Sequence, residues 1–185
     1  TCALPICAAL LCLCLLAGLA PNMGTTAFAA GDYKIGDAVE FAGHEWYIIG
    51  TDEEADGGVT APAGCYTLFA KDNDFDSTVF RPSSASGDDQ VKYNGSELQN
   101  KILEIAEGFS EEDKSSIQTR DLTVADDNIY GLNAYDQLLW PISAEEGEKL
   151  DQSIKSFNAD YWTRQNYGTL NVYLFYATGR RSFSA

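Results

Sequence analysis

Residues 138–165 read LLWPISAEEGEKLDQSIKSFNADYWTRQ, and this stretch decides the fold. Leu138, Leu139, Trp140 and Ile142 form an apolar run that predicts a strand. Ser143 then offers an N-cap oxygen, with Glu146 three residues later as its reciprocal capping-box partner. Glu145 and Glu146 fall in the first turn, where the helix dipole favours negative charge. A loop around Asn158 leads to a compact second strand, Tyr161-Trp162-Thr163-Arg164. Two of the three tryptophans lie in this strand–helix–strand unit, and the rest of the chain is expected to complete one domain around it.

At the N-terminus, residues 3–20 are almost continuously apolar (ALPICAALLCLCLLAGLA). Pro21, Asn22 and Gly24 break the run, and Ala27-Phe28-Ala29 fits the A-x-A rule of a secretory signal peptide cleaved after Ala29 or Ala30. Residues 1–30 are therefore read as a signal peptide and residues 31–185 as a single α+β domain. A membrane anchor is the competing reading, because a spanning helix needs about 20 apolar residues. The cleavage site and the lack of a second apolar run favour secretion, with no membrane insertion after cleavage. No Met or basic residue precedes the apolar run, which suggests an N-terminus cut short. No cysteine follows a Leu-Ala-Gly or Leu-Ser-Gly tripeptide, which argues against a lipid anchor.

Four of the five cysteines, at 2, 7, 12 and 14, lie in the leader, so the domain carries Cys65 alone and no internal disulfide. That fits a bacterial exported domain that relies on an apolar core. Cys65, in AGCYTLF, is expected to be a small buried hydrophobe. All 28 acidic and 12 basic residues lie after residue 30, so the domain carries the whole net charge of −16. Nucleic acid, which needs a basic face, is excluded as a partner, and an anionic membrane surface is disfavoured.

Within the domain, Ala38–Phe41 and Trp46–Gly50 flank the turn AGHE and predict a β-hairpin. TDEEADGG (51–58) is an acidic loop, and Cys65–Ala70 is a third strand. Residues 71–95 read as a long loop with Phe75, Val79, Phe80 and Tyr93 as anchors. Ser96 caps a helix whose Leu98, Ile102, Leu103 and Ala106 recur at helical spacing, with Gly108 as its stop. Ser110 opens a second helix through about Gln118, expected on the surface. Residues 121–136 read as a polar connection, residues 170–176 as a strand, and Gly179-Arg180-Arg181 as a turn after which no closing element is expected. Strands at both ends with helices between, and no βαβ alternation, indicate α+β.

The motifs in this order, WYII, CYTLFAKD, SELQNKILEIA, FSEED, LWPISAEE and YWTR, resemble an uncharacterised family of secreted and cell-surface domains from gut-type Gram-positive bacteria. That family is similar in pattern to the C-type-lectin-like fold, the group that includes formylglycine-generating enzymes. The resemblance covers roughly residues 33–176 and implies a C-type-lectin-like single domain displayed outside the cell. Thr163 and Gln165 stand where the family has Leu and Ser, and the family's further glycine-rich strand is missing, which suggests a C-terminus cut short as well. The enzymes of the group use two active-site cysteines, whereas this domain has one, so their activity does not carry over.

Candidate chemistry is sparse. Asp72, Asp74 and Asp76 alternate after a strand and can offer oxygens to Ca²⁺, although Ser77 and Ser83 stand where an EF-hand needs Gly and Glu. An acidic turn is the plainer reading, there and at Asp126-Asp127-Asn128. His44, the only histidine, sits in a hairpin turn with no nucleophile elbow nearby, and alone it rules out a multi-histidine zinc site. With 28 carboxylates, a pair at glycosidase separation arises by chance, so no catalytic residue is assigned.

The aromatic content is more informative. Tyr161, Trp162, Tyr167, Tyr173 and Tyr176 interleave with Arg164, Asn166 and Asn171. Aromatic faces beside amide and guanidinium groups suit sugar or peptide ligands, so Trp162, Arg164, Asn166 and Tyr167 are the expected ligand-binding residues. Strand alternation puts Trp162 and Arg164 on one face, and that face also suits core packing and a structural ion pair. The sequence thus points to a secreted or surface-displayed, non-enzymatic binding module for an extracellular glycan or protein. A loop-carboxylate hydrolase such as a glycosidase and a structural repeat of a larger surface protein are the alternatives.

Overall fold

The computed structural model describes residues 4–5, 14–16, 33–53, 55, 61–71, 77–81, 87, 91–124, 129, 131–156, 160–167 and 171–184. The strands are β1 (Leu4–Pro5), β2 (Cys14–Leu16), β3 (Ala38–Phe41), β4 (His44–Gly50), β5 (Cys65–Ala70), β6 (Ser77–Thr78), β7 (Ile117–Gln118), β8 (Arg120–Thr123), β9 (Asn133–Gln137), β10 (Tyr161–Tyr167), β11 (Asn171–Phe175) and β12 (Arg181–Ser184). Four helices are described: α1 (Glu97–Glu107), α2 (Glu111–Ser116), α3 (Ala144–Lys149) and α4 (Gln152–Lys155). All strand pairings among the described residues are antiparallel, and the architecture is α+β, as the order of elements predicts.

The largest sheet has the order β3-β4-β5-β2-β7. Its β3–β4 hairpin closes on Ala42 and Gly43, both at positive φ (52° and 78°), the requirement of the tight turn that matches strand twist. Trp46 is fully buried and its indole N–H donates to Phe41 O at 2.9 Å, tying the hairpin together. Cys65 is buried, as expected. Two short pieces of the apolar N-terminal run, β1 and β2, pair with the body. Their main-chain N–H and C=O groups pair with those of neighbouring strands that would otherwise be open.

Ser96 caps α1 by accepting from the Gln99 N–H at 3.0 Å, and Leu98, Ile102 and Ala106 are buried while Leu103 faces out. The second helix ends at Ser116, two residues short of the expectation, because Ile117 turns into β7 and is buried there. The stretch read as a polar connection holds β8 and β9, paired with each other. Each buries only one or two residues (Leu122; Ala134 and Gln137), so the apolar alternation is too thin to register in the sequence. Conversely, Leu138–Ile142 forms no strand, only an irregular run that bends at Leu138-Leu139, makes one bridge at Trp140 and is buried from Leu139 onward. Pro141 has no N–H to give a ladder and restricts the residue before it. The loop around Asn158 lies outside the described residues.

The third sheet, β10-β11-β12, corrects the expectation of an unclosed end: β12 pairs with β11 along Val172↔Ser184 to Phe175↔Arg181. Its inner face gives Trp162, Val172 and Leu174 to a core that runs from Val39 to Phe175. One end of its outer face is roofed by α3 and α4. There Phe175 stacks on Tyr161 with ring centroids 5.2 Å apart, and the Tyr161 hydroxyl donates to Lys155 O. Gly147 of α3 sits so close to Phe175 that an added Cβ would lie 2.5 Å from the ring. Alanine is normally the better helix residue by about 1 kcal/mol. Here Gly147→Ala is expected to destabilise by about 1–3 kcal/mol, because a packed ring must shift. Urea unfolding of the variant checks this, and a gain in stability would contradict the close approach.

Candidate functional site

The capped helix of the opening stretch forms as expected. Ser143 accepts from the Glu146 N–H at 3.1 Å, and Glu146 Oε2 accepts from the Ser143 N–H at 2.7 Å. The Glu146 carboxylate does more than cap. Arg164 grips it with two bonds, Nη1 to Oε2 at 2.6 Å and Nη2 to Oε1 at 2.8 Å, and Arg120 of β8 donates to Oε1 at 3.2 Å. Arg164 Nη1 also donates to Pro141 O at 2.6 Å, and its backbone N–H to Ile142 O at 3.0 Å. The guanidinium of Arg120 lies 5.3 Å from the Trp140 ring centroid. One carboxylate thus joins α3, β8 and β10 in a charge-assisted cluster that is buried at Arg164 and Glu146 and partly open at Arg120.

Burial alone would raise the Glu146 carboxyl. The charge and hydrogen bonds of Arg164, the charge of Arg120 and the Ser143 N–H outweigh it and hold the group at about 2. A depressed carboxyl contributes stability that is present above its unfolded value of 4.5 and lost as pH falls toward 2. The shift corresponds to stability on the order of 3 kcal/mol. Urea midpoints at pH 6 and pH 2.5 should show that loss in the wild-type chain, and Glu146→Gln should flatten it. An equal slope in both proteins would place the titration elsewhere.

Tyr93, also buried, has a hydroxyl without a hydrogen-bond partner among the described residues, and burial pushes its ionisation up against the opposing charge of Arg164. His44 is half-buried against Trp46 and Phe109, with ring centroids 6.4 Å from each.

The structure separates the four expected ligand residues. Trp162 is buried edge-on to Phe80, 6.0 Å between centroids, and Arg164 is 0% exposed within the cluster. Asn166 is half-buried opposite Val172 on the inner side, after a register shift in β10. Only Tyr167 reaches the surface, at 45% exposure. Burial does not alternate along this segment: Tyr161 through Arg164 are all buried, because helices cover one face and the core the other. Asp72, Asp74 and Asp76, the expected calcium residues, lie outside the described residues, as do Asp126-Asp127-Asn128. Among the described residues no cluster of three or more His, Cys, Asp or Glu is placed to hold a metal ion, and no helix is long and apolar enough to cross a membrane.

What the structure assembles around Tyr167 is an aromatic surface. The open end of the outer sheet face brings Tyr167 onto Phe183, stacked with centroids 4.6 Å apart and rings 27° from parallel. Tyr173 lies 5.2 Å from Tyr167, and the Arg181 guanidinium covers the Tyr173 ring at 4.8 Å. Arg181 also reaches Glu148 of α3 at 3.0 Å, which orients it over the ring. Phe183 is 52% exposed, and Asn171, opposite Tyr167, borders the patch with an amide. Tyr167, Tyr173 and Asn171 stand out in the sequence as part of the late aromatic cluster. Phe183 and Arg181 give no such signal, because Gly179-Arg180-Arg181 reads as a turn and the residues after it carry no strand pattern of their own. No family model matches the chain, and no curated protein or solved structure is significantly similar to it.

Proposed function

We propose that the chain is an extracellular, non-enzymatic binding module, of the C-type-lectin-like kind its motif order resembles, and that the Tyr167–Tyr173–Phe183 face contacts the ligand. The observation that carries this reading is that face: stacked aromatics left in solvent beside a guanidinium and an amide. Large exposed aromatic groupings are uncommon on monomers without an interaction role. Flat rings flanked by directed polar groups suit the apolar faces and hydroxyls of a glycan. The signal-like leader, the single buried thiol and the charge of −16 agree with a place outside the cell, either secreted or displayed on the surface. A protein ligand would use the same rings as anchors.

The test is binding of the chain, with and without calcium, to a glycan array and to mucin. Tyr167→Ala or Phe183→Ala should weaken binding about ten-fold or more while leaving the fold intact. A blank array and a blank mucin pull-down would remove the glycan reading. Turnover of a generic glycoside or ester, abolished by one carboxylate substitution, would replace the binding module with a hydrolase.

A further inference from the structure

Tyr93-Asn94-Gly95-Ser96 is the turn that delivers the chain into α1. The Ser96 N–H donates to Tyr93 O at 3.0 Å, which closes a β-turn with Asn94 and Gly95 at its centre. Gly95 stands at φ 70°, where an L side chain is strained, so the turn requires glycine there. Gly95 is exposed, with open space on the side where a Cβ would lie. Asn94-Gly95 is also the chain's one Asn-Gly pair. That dipeptide carries its own chemistry: the glycine nitrogen can attack the preceding side-chain carbonyl carbon, because no side chain hinders its approach.

In the folded chain both reacting groups are engaged. The Asn133 N–H donates to Asn94 Oδ1 at 2.8 Å, and Asn94 Nδ2 donates to Asn133 O. Among the described residues β9 pairs with β8 alone, so this amide makes the two bonds that a further strand would make to Asn133. The Gly95 N–H donates to Gln99 Oε1 of α1 at 2.6 Å. Arg81 Nη2 donates to Asn94 O at 2.9 Å and fixes the peptide group between the two residues. The nucleophile is thus held by α1 and the electrophile by β9, and the turn must loosen before they meet.

We propose that Asn94 is a spontaneous deamidation site, kept latent by its clamp on β9 and by the bond from Gly95 to Gln99. When the turn opens, the Gly95 nitrogen bonds to Asn94 Cγ and the Cγ–Nδ2 bond breaks. Ammonia leaves, taking up the proton that the Gly95 nitrogen gives up. Water then opens the succinimide ring at either carbonyl, leaving aspartate or isoaspartate at position 94. Water is the only co-reactant, and nothing is oxidised or reduced. The new carboxylate cannot donate to Asn133 O, and the isoaspartate form lengthens the backbone within a tight turn. The clamp is not remade, so the change is one-way and records opening of this turn. It depends on neither the export nor the ligand reading.

The experiment follows the peptide holding residues 94 and 95 by mass spectrometry during incubation at mildly alkaline pH, with isoaspartate resolved by chromatography. The full chain in denaturing urea should deamidate there at least about ten-fold faster than the folded chain. Folded Gln99→Ala should deamidate about three-fold or more faster than wild type, whereas Gln99→Glu, which keeps the acceptor, should match wild type. Equal rates for folded and unfolded chain overturn the protection, and an intact Asn94 in urea overturns the site. A Gln99→Ala chain that deamidates no faster than Gln99→Glu overturns the role of that bond. Should Gln99→Ala unfold, wild type in sub-denaturing urea decides: deamidation should rise in step with hydrogen exchange at the Asn133 amide, and deamidation while that amide stays protected overturns the proposal. Asn94→Asp, the product made directly, should exchange the Asn133 amide about ten-fold faster than wild type. Unchanged protection in that variant overturns the one-way step.

Discussion

Arg164→Met is expected to cost about 3–5 kcal/mol of stability, the range for breaking a buried ion pair from one side. The cost comes from what remains. Glu146 would lose both bonds from Arg164, leaving a buried carboxylate with the Ser143 N–H at 2.7 Å and Arg120 at 3.2 Å as its partners. Pro141 O would lose its donor as well. Arg164→Lys should recover little, since an ammonium cannot make the two parallel bonds. The double variant Arg164→Met/Glu146→Leu should be more stable than Arg164→Met, because the buried carboxylate that has lost Arg164 is then gone and the Arg120 it also leaves is partly open to solvent. Chemical denaturation of the three variants decides this; a loss below about 1 kcal/mol for Arg164→Met would mean that the pair contributes little.

Trp140→Ala is expected to cost a similar amount, about 3–5 kcal/mol, as the cavity left by a fully buried indole. Two effects combine here. The core loses a large side chain, and Arg120 loses the ring over which it is held, 5.3 Å away, and with it some of its aim at Glu146. Trp140→Phe keeps a ring and should cost much less. A double-mutant cycle between Trp140→Ala and Arg120→Ala isolates the second effect, expected at about 0.5–2 kcal/mol. Strict additivity would show that Arg120 does not depend on the ring.

The opening stretch shows how far sequence reading reaches. Ser143 and Glu146 declare a capping box through type and spacing alone, and the box is present in full. The same spacing says nothing of Arg164, eighteen residues on, which joins the same carboxylate by tertiary packing. Trp140 and Trp46 are core residues, as their apolar settings imply. The missed strands β8, β9 and β12 share one cause: RDLT, NAYDQ and RSFS are mostly polar, and their pairing partners rather than their own pattern make them strands. The aromatic face was half readable for that reason. Tyr167 and Tyr173 belong to a strand pair with clear hydrophobic signals, whereas Phe183 and Arg181 arrive on the strand that has none. Gly147 is legible only in three dimensions, because its helix gives no local reason for a glycine.

The ligand face is tested most directly by amide chemical-shift mapping of the labelled chain titrated with mucin-derived oligosaccharides. Shifts centred on Tyr167, Asn171, Tyr173, Arg181 and Phe183 are the predicted result. Saturable shifts centred elsewhere, for example around the exposed Tyr135 or Leu103, or no shifts at millimolar oligosaccharide, would contradict it.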